Sequence, residues 1–274
     1  NYNFNIAPST PSSIINRGTI TAAEGGLVAL VAPGVENSGV ISAQLGKVSL
    51  ASGNTFILDL YGDNLINFGA DSKVLNQIVD TEGNVVSDAV KNSGTISANG
   101  GTVFMGANTA ASVVDNVINM TGIVEAKTAS EKNGVIILKG GNEGITKVSG
   151  GLDAGGDVEL QGDVISHSGS ITSGGGNVSM KAKTSITIDG PVTTNGGDFF
   201  AGPVEENEVV AYAHISGSVE PITYHVSGSA FSMESTNPSI TVNSGITTSG
   251  GNVNLGKEKT IKTTSLIGTG TLSE

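Results

Sequence analysis

Three histidines, His167, His214 and His225, and an acidic run at Asp153, Asp157, Glu159 and Asp163 have the clearest chemical reach in this sequence. Glycoside cleavage needs two carboxylates at a defined separation, and Asp157 and Glu159 share one face of a strand because side chains alternate across it. No neighbouring segment duplicates the pair and no basic residue stands near it in sequence, so the run reads as a solvated face. GGLDAGGDV at 150–158 resembles a calcium-binding nonapeptide, but Asp153 stands where that repeat needs Gly and Gly155 where it needs Asp. His214 and His225 are flanked by Tyr212 and Tyr224 and point the same way if they flank a hairpin. A metal centre needs further ligands at suitable spacing, and packing or surface roles are the expectation for all three histidines. There is no G-x-S-x-G nucleophile elbow, phosphate-binding loop or dinucleotide fingerprint. No catalytic residue, metal ligand or cofactor is assigned, and the chain is expected not to be an enzyme.

Binding is the other chemistry to weigh. The segment 198–243 holds five of the eleven aromatics, Phe199, Phe200, Tyr212, Tyr224 and Phe231, together with Glu205, Glu206 and Glu208. Alternation in VVAYAHIS and ITYHVSG suggests two strands. The bland reading is a small satellite core covering an exposed edge. The functional reading is a receptor-contact surface, because aromatic area on a loop held by a rigid scaffold is a common way to bind. Phe199, Phe200, Tyr212, His214, Tyr224, His225 and Phe231 are the candidate partner contacts, and the interval Asp59 to Val90 is a second candidate region.

These residues must be held by something, and the glycines say what. Forty of 274 residues are Gly, close to 15% and about twice the usual share. They recur inside a phrase: NRGTITAAEGGLVAL at 16–30, NSGVISAQLGKVSL at 37–50, NSGTISANGGTVFM at 92–105, HSGSITSGGGNVSM at 167–180 and NSGITTSGGNVNL at 243–255. Gly18 to Gly39 and Gly169 to Gly190 are 21 apart, Gly94 to Gly122 is 28, Gly122 to Gly151 is 29, and Gly39 to Gly94 and Gly190 to Gly245 are both 55. Each unit has short alternating strands split by a Gly turn, with Ile20, Val28 and Leu30 on one face. A unit this small cannot bury that face alone and must stack on its neighbours. The expectation is an all-β, right-handed parallel β-helix, about 20 residues per coil, with excursions from the rod. Ten to twelve coils at the inter-strand spacing of about 4.8 Å make a rod of roughly 50–60 Å. Two helix candidates stand out, Asp71 to Ile78 with Asp71 as N-cap, and 109–118.

Composition excludes several classes. With 13 basic against 25 acidic residues, net charge −12, the chain is a poor nucleic-acid binder. It has no Cys, hence no disulfide framework. A 37% hydrophobic content and mean hydropathy of +0.09 support a core. The longest apolar run, Leu27 to Val35, is too short to span a bilayer and contains Pro33. The chain opens on Asn1 with no basic or apolar leader, and neither end reads as a solenoid cap, so the expectation is a fragment of a longer precursor.

The segment 14–60, IINRGTITAAEGGLVALVAPGVENSGVISAQLGKVSLASGNTFILDL, resembles the secretion domain of two-partner secreted exoproteins of the filamentous-haemagglutinin type. The resemblance rests on G-x-V-A-L-x-x-P-x-V-x-N-x-G-x-I at Gly26 to Ile41, on G-x-V-x-L-A-x-G at Gly46 to Gly53, and on KNSGTISANGGTVFMGANTAASVVDNVINMTGIVEA at 91–126. It covers 14–126 well, and 145–274 resembles the repeats that continue such proteins. It lacks the amino-terminal N-P-N motifs of that family. The resemblance implies a right-handed β-helix of a Gram-negative bacterium, exported through an outer-membrane transporter partner, secreted or held at the cell surface, and usually an adhesin. Some members carry toxin tips or bind haem proteins. The expected organisation is a secretion-domain-like β-helix over 1–145 with an excursion near 59–90, then continuing repeats over 146–274 with the aromatic-rich excursion near 198–243. The expected partners are the transporter and a host or surface receptor, protein or glycan. A carbohydrate-active β-helix enzyme of the tailspike kind and a carrier stalk for a toxin or haem-acquisition module are the alternatives.

Overall fold

A computed structural model describes residues 2–58, 66–68, 72–204, 238–256, 261–263 and 272–273. The first coil consists of three strands, Ser13–Asn16, Thr19–Thr21 and Leu27–Ala32. The second repeats them as Gly34–Asn37, Val40–Ser42 and Lys47–Ser52. The third does so as Asp88–Asn92, Thr95–Ser97 and Thr102–Ala107. Each strand pairs in parallel with its counterpart one coil on, as in Asn16 with Asn37 and Asn37 with Asn92. The result is a parallel β-helix with three faces, which we call first, second and third in chain order. The second face is an 8-stranded sheet with one strand per coil. The described residues therefore complete eight coils, and Ile261–Thr263 and Leu272–Ser273 add strands of a ninth. The first and third faces merge into one 16-stranded sheet because Val158–His167 and Val178–Ile188 run round the corner between them.

In-register pairing turns alternation in sequence into columns in space. On the third face Val28, Val48, Val103, Ile136, Val158, Val178, Phe199 and Val253 stack inward. On the second, Ile20, Ile41, Ile96, Val124, Leu152, Ile171, Val192 and Ile246 do the same. Almost all of these side chains are buried, and each fully buried aliphatic contributes about 1.5–3 kcal/mol. The glycines of the recurring phrase serve close backbone approach. A Cβ on Gly94 would lie 2.0 Å from the Gly39 carbonyl oxygen, and one on Gly101 would lie 1.9 Å from that of Gly46.

Several expectations change. Among the described residues the coils number eight and part of a ninth, fewer than ten to twelve, because the coils on either side of each 55-residue interval pair directly. Residues 72–78 form no helix; Asp71 lies outside the described residues. Val74 and Ile78, four apart and both buried, have helical spacing, but here the segment runs along the rod. Val74 bridges Thr109, and Val79 bridges Ser12 and Val85. The region 109–118 is likewise a turn leading into the strand Asn116–Met120. The first excursion leaves after Ser52 and returns at Asp88. It contributes Phe56–Leu58 and Ile66–Phe68, which form a 3-stranded antiparallel sheet with Tyr2–Phe4. There Phe4 stacks on Phe56 at 4.4 Å. The glycine in register with Gly122 is Gly150, not Gly151. Among the described residues no helix is long and apolar enough to cross a membrane.

Candidate functional site

The candidate contact residues part company in the structure. Phe199 is fully buried, in register between Val178 and Val253. It is a core residue and is corrected as a partner contact: alternation within Phe199–Pro203 turns it inward, where a larger side chain takes one place in an aliphatic column. Phe200, the next residue, is half-buried on the outside and lies over Gly202, whose added Cβ would meet the ring at 2.5 Å. Tyr212, His214, Tyr224, His225 and Phe231 lie outside the described residues.

The acidic run is engaged in structural contacts. Asp157 is exposed and its Oδ1 accepts the backbone N–H of Asn177 at 2.7 Å. The same device climbs the rod, with Asp198 N–H donating to Asn177 at 2.8 Å and Asn252 N–H donating to Asp198 at 2.6 Å. Glu159 faces Lys139 at 3.6 Å, so a basic partner does stand beside it, brought by the neighbouring coil and invisible in linear sequence. Asp153 stacks in register on Glu125, and Lys127 bridges the two like charges at 3.3 and 2.9 Å. Those carboxylates raise the Lys127 pKa, first through its hydrogen bond to Glu125.

His167 is a buried packing residue between Val148 and Ile188 on the first face. Neither ring nitrogen has a hydrogen-bond partner. Burial pushes its pKa down from 6.5 to about 4, opposed by the charge of Asp189 and by the backbone of Gly169; neither group makes a hydrogen bond of ordinary geometry to the ring.

One feature at the corner between the third and first faces had no sequence signal. The first coil turns this corner at Pro33 alone. The fifth and sixth coils turn it within continuous strands, with a register shift between Gly162 and Val164. Between them the corner opens. The first excursion leaves here, and the next two coils loop out from Ala107 to Asn116 and from Lys139 to Ile145. The second excursion leaves and returns at the same corner, since Pro203 pairs with Ala182 and Ser239 with Ser185.

Within the opened stretch lies a cleft of about 350 Å³ lined by Lys73, Ala107, Asn108, Thr109, Gly140, Gly141, Asn142 and Glu143. Lys73 Nζ reaches Glu143 Oε1 at 2.5 Å, joining segments 70 residues apart. That hydrogen bond holds the Glu143 carboxyl below its ordinary pKa, with Lys73 and Lys183 adding charge attraction. The walls are fixed. Asn108 donates to the Ser72 hydroxyl, Val74 N–H donates to the Asn108 carbonyl at 2.9 Å, and Thr109 hydrogen-bonds Ser52 at 2.7 Å. Two glycines draw the Lys139–Ile145 loop inward. Gly141 has φ +70°, and a Cβ on Gly140 would overlap Thr146 Oγ1 and Val117.

In fold, the chain is similar to the crystal structure of the HMW1 secretion domain from Haemophilus influenzae. The TM-score is 0.57 with 18% sequence identity, and the match covers 95% of this chain and 67% of that one. No family model matches the sequence. No curated protein matches it either. The likeness runs nearly end to end and bears on the fold, a parallel β-helix.

Proposed function

We propose that this chain is the secretion-domain-like part of a two-partner exoprotein. It crosses the outer membrane through a partner transporter and then serves as a rigid surface rod of the adhesin type. The observation that carries this reading is the near end-to-end structural likeness to a secretion domain, joined to the Gly26–Ile41 phrase in the first two coils. The physics is consistent with it. A chain without Cys threads a narrow pore with no crosslink to break, and coils that need only their neighbours can fold in sequence as they emerge. The role is mechanical: the rod presents its corner and excursions away from the membrane. Glu159 is ion-paired and Asp157 accepts a backbone N–H, so neither favours the polysaccharide-cleaving alternative.

The test is export. The chain, placed behind a periplasmic signal, is expressed with and without an outer-membrane transporter of the two-partner type. Accumulation in the medium only when the transporter is present is the expected result; equal release without it would sink the proposal.

A further inference from the structure

We propose that the corner cleft between the third and first faces is a binding site for a short, hydroxyl-rich saccharide. The inference deepens the attachment role and rests on it only for its biological meaning, not for its chemistry.

The corner is open around the cleft, between the second and fifth coils. A solenoid can turn it with one proline, at Pro33, or with none, as in the fifth and sixth coils. The third and fourth coils spend whole loops there, and the fourth uses Gly140 and Gly141 where a side chain would clash or be strained. Both excursions of the chain also spring from this edge. Two loops and the ends of both excursions thus lie along one ridge, and loops on a rigid scaffold are a usual place for recognition.

The lining selects the ligand class. It offers an ammonium donor, a carboxylate acceptor and two carboxamides, each of which both donates and accepts. Hydroxyl groups of a saccharide also do both, so such a set can hold adjacent sugar hydroxyls in bidentate fashion. Among the described residues no aromatic ring lines the cleft, which disfavours a planar aromatic ligand. The Lys73 charge is neutralised by Glu143 in a protein of net charge −12, which disfavours a phosphate and leaves further donor and acceptor positions on the pair. The volume lies at the lower end of the range for small-ligand sites, roughly 300–1,000 Å³, and fits a short saccharide. Anchoring of Asn108 and Thr109 from below, through Ser72 and Ser52, makes the walls preorganised.

The full chain is screened by saturation-transfer NMR against neutral, carboxylated and sulfated oligosaccharides, alongside Asn142→Ala and Glu143→Gln. Saturation transfer to neutral oligosaccharides, weakened at least tenfold in apparent affinity by either variant with unchanged melting temperature, is the expected result. Silence across the panel, response only to sulfated chains, or signals equal in both variants would overturn the proposal. A variant that melts early is replaced by Asn142→Gln, which keeps the amide and moves it. In parallel, beads coated with each protein are tested for attachment to cells. Equal attachment by wild type and variants, together with silence in the saccharide screen, removes the cleft and leaves the attachment role standing. Saccharide binding without attachment does the reverse.

Discussion

The same interior column of the first face is built in two ways along the rod. In the first three coils it is amide: Asn16 Nδ2 donates to Asn37 Oδ1 at 2.7 Å, and Asn37 Nδ2 donates to Asn92 Oδ1 at 2.7 Å. The ladder ends where Asn92 Nδ2 meets Met120 Sδ at 3.3 Å. Farther on the column is Val148, His167, Ile188 and Val242. The amides are polar yet satisfied, each handing its hydrogen bond to the next coil, and a slip of one residue would break every link. The second stretch is apolar except for His167, which is buried with both nitrogens unpartnered. Polarity in a solenoid core is tolerated when it repeats in register and becomes a liability when it occurs once.

The largest way to expose that contrast is acid. The His167 pKa is about 4 in the fold against an ordinary 6.5, so the unfolded chain takes up the proton first. Its contribution is fully present above about pH 6.5 and is lost as pH falls through about 4. At about 1.36 kcal/mol per pH unit, the loss approaches about 3 kcal/mol. Urea denaturation across this range is expected to show the slope. His167→Leu should flatten it and raise stability at neutral pH, because an orphaned polar ring is replaced by an aliphatic one. A slope that survives His167→Leu would assign it to the carboxylates.

Next in size is Asn37→Val, which cuts the ladder at its centre. It strands the Asn16 donor and the Asn92 acceptor, and the cost expected from chemical denaturation is about 2 kcal/mol. Replacing Asn37 and Asn92 together should cost less than the sum of the single changes, since partners removed in pairs leave fewer orphans. Strict additivity would mean that the ladder carries no coupling.

How much of this was legible in the sequence depends on register. Ile20, Val28 and Leu30 point inward as their alternation requires, and the glycine rhythm marks the coils. The phrase itself misleads once. NSG at 37–39 and at 92–94 places its Asn inside, but NSG at 243–245 is shifted by one: Val242 holds the interior position and Asn243 is exposed, donating to Asp189 Oδ1 at 2.7 Å. Side chains alternate with period two, so identical letters one step out of register face opposite ways. The cleft left no sequence mark, because Lys73 and Glu143 are brought together only by coil stacking across 70 residues. His167 has the same letters around it, HSG, as the buried Asn residues have; only the apolar neighbours above and below it reveal that it has nothing to bond.

The smallest predicted effect sits one residue from the largest amide contact. Lys91 stacks in register on Glu36 with Nζ to Oε1 at 3.5 Å, on the outside of the strands that carry Asn92 and Asn37. Both side chains keep about a third of their surface in water, where solvent screens the attraction and the chain entropy of two long side chains opposes it. Lys91→Met should therefore cost no more than about 0.5 kcal/mol and lose even that at high salt. If its cost in urea denaturation equals that of Asn37→Val, inward and outward ladders are energetically alike, and coil register is held by cross-strand pairing of any kind. If it is several-fold smaller, register in the first coils is set by the amides inside, where a mispaired group has no water to turn to.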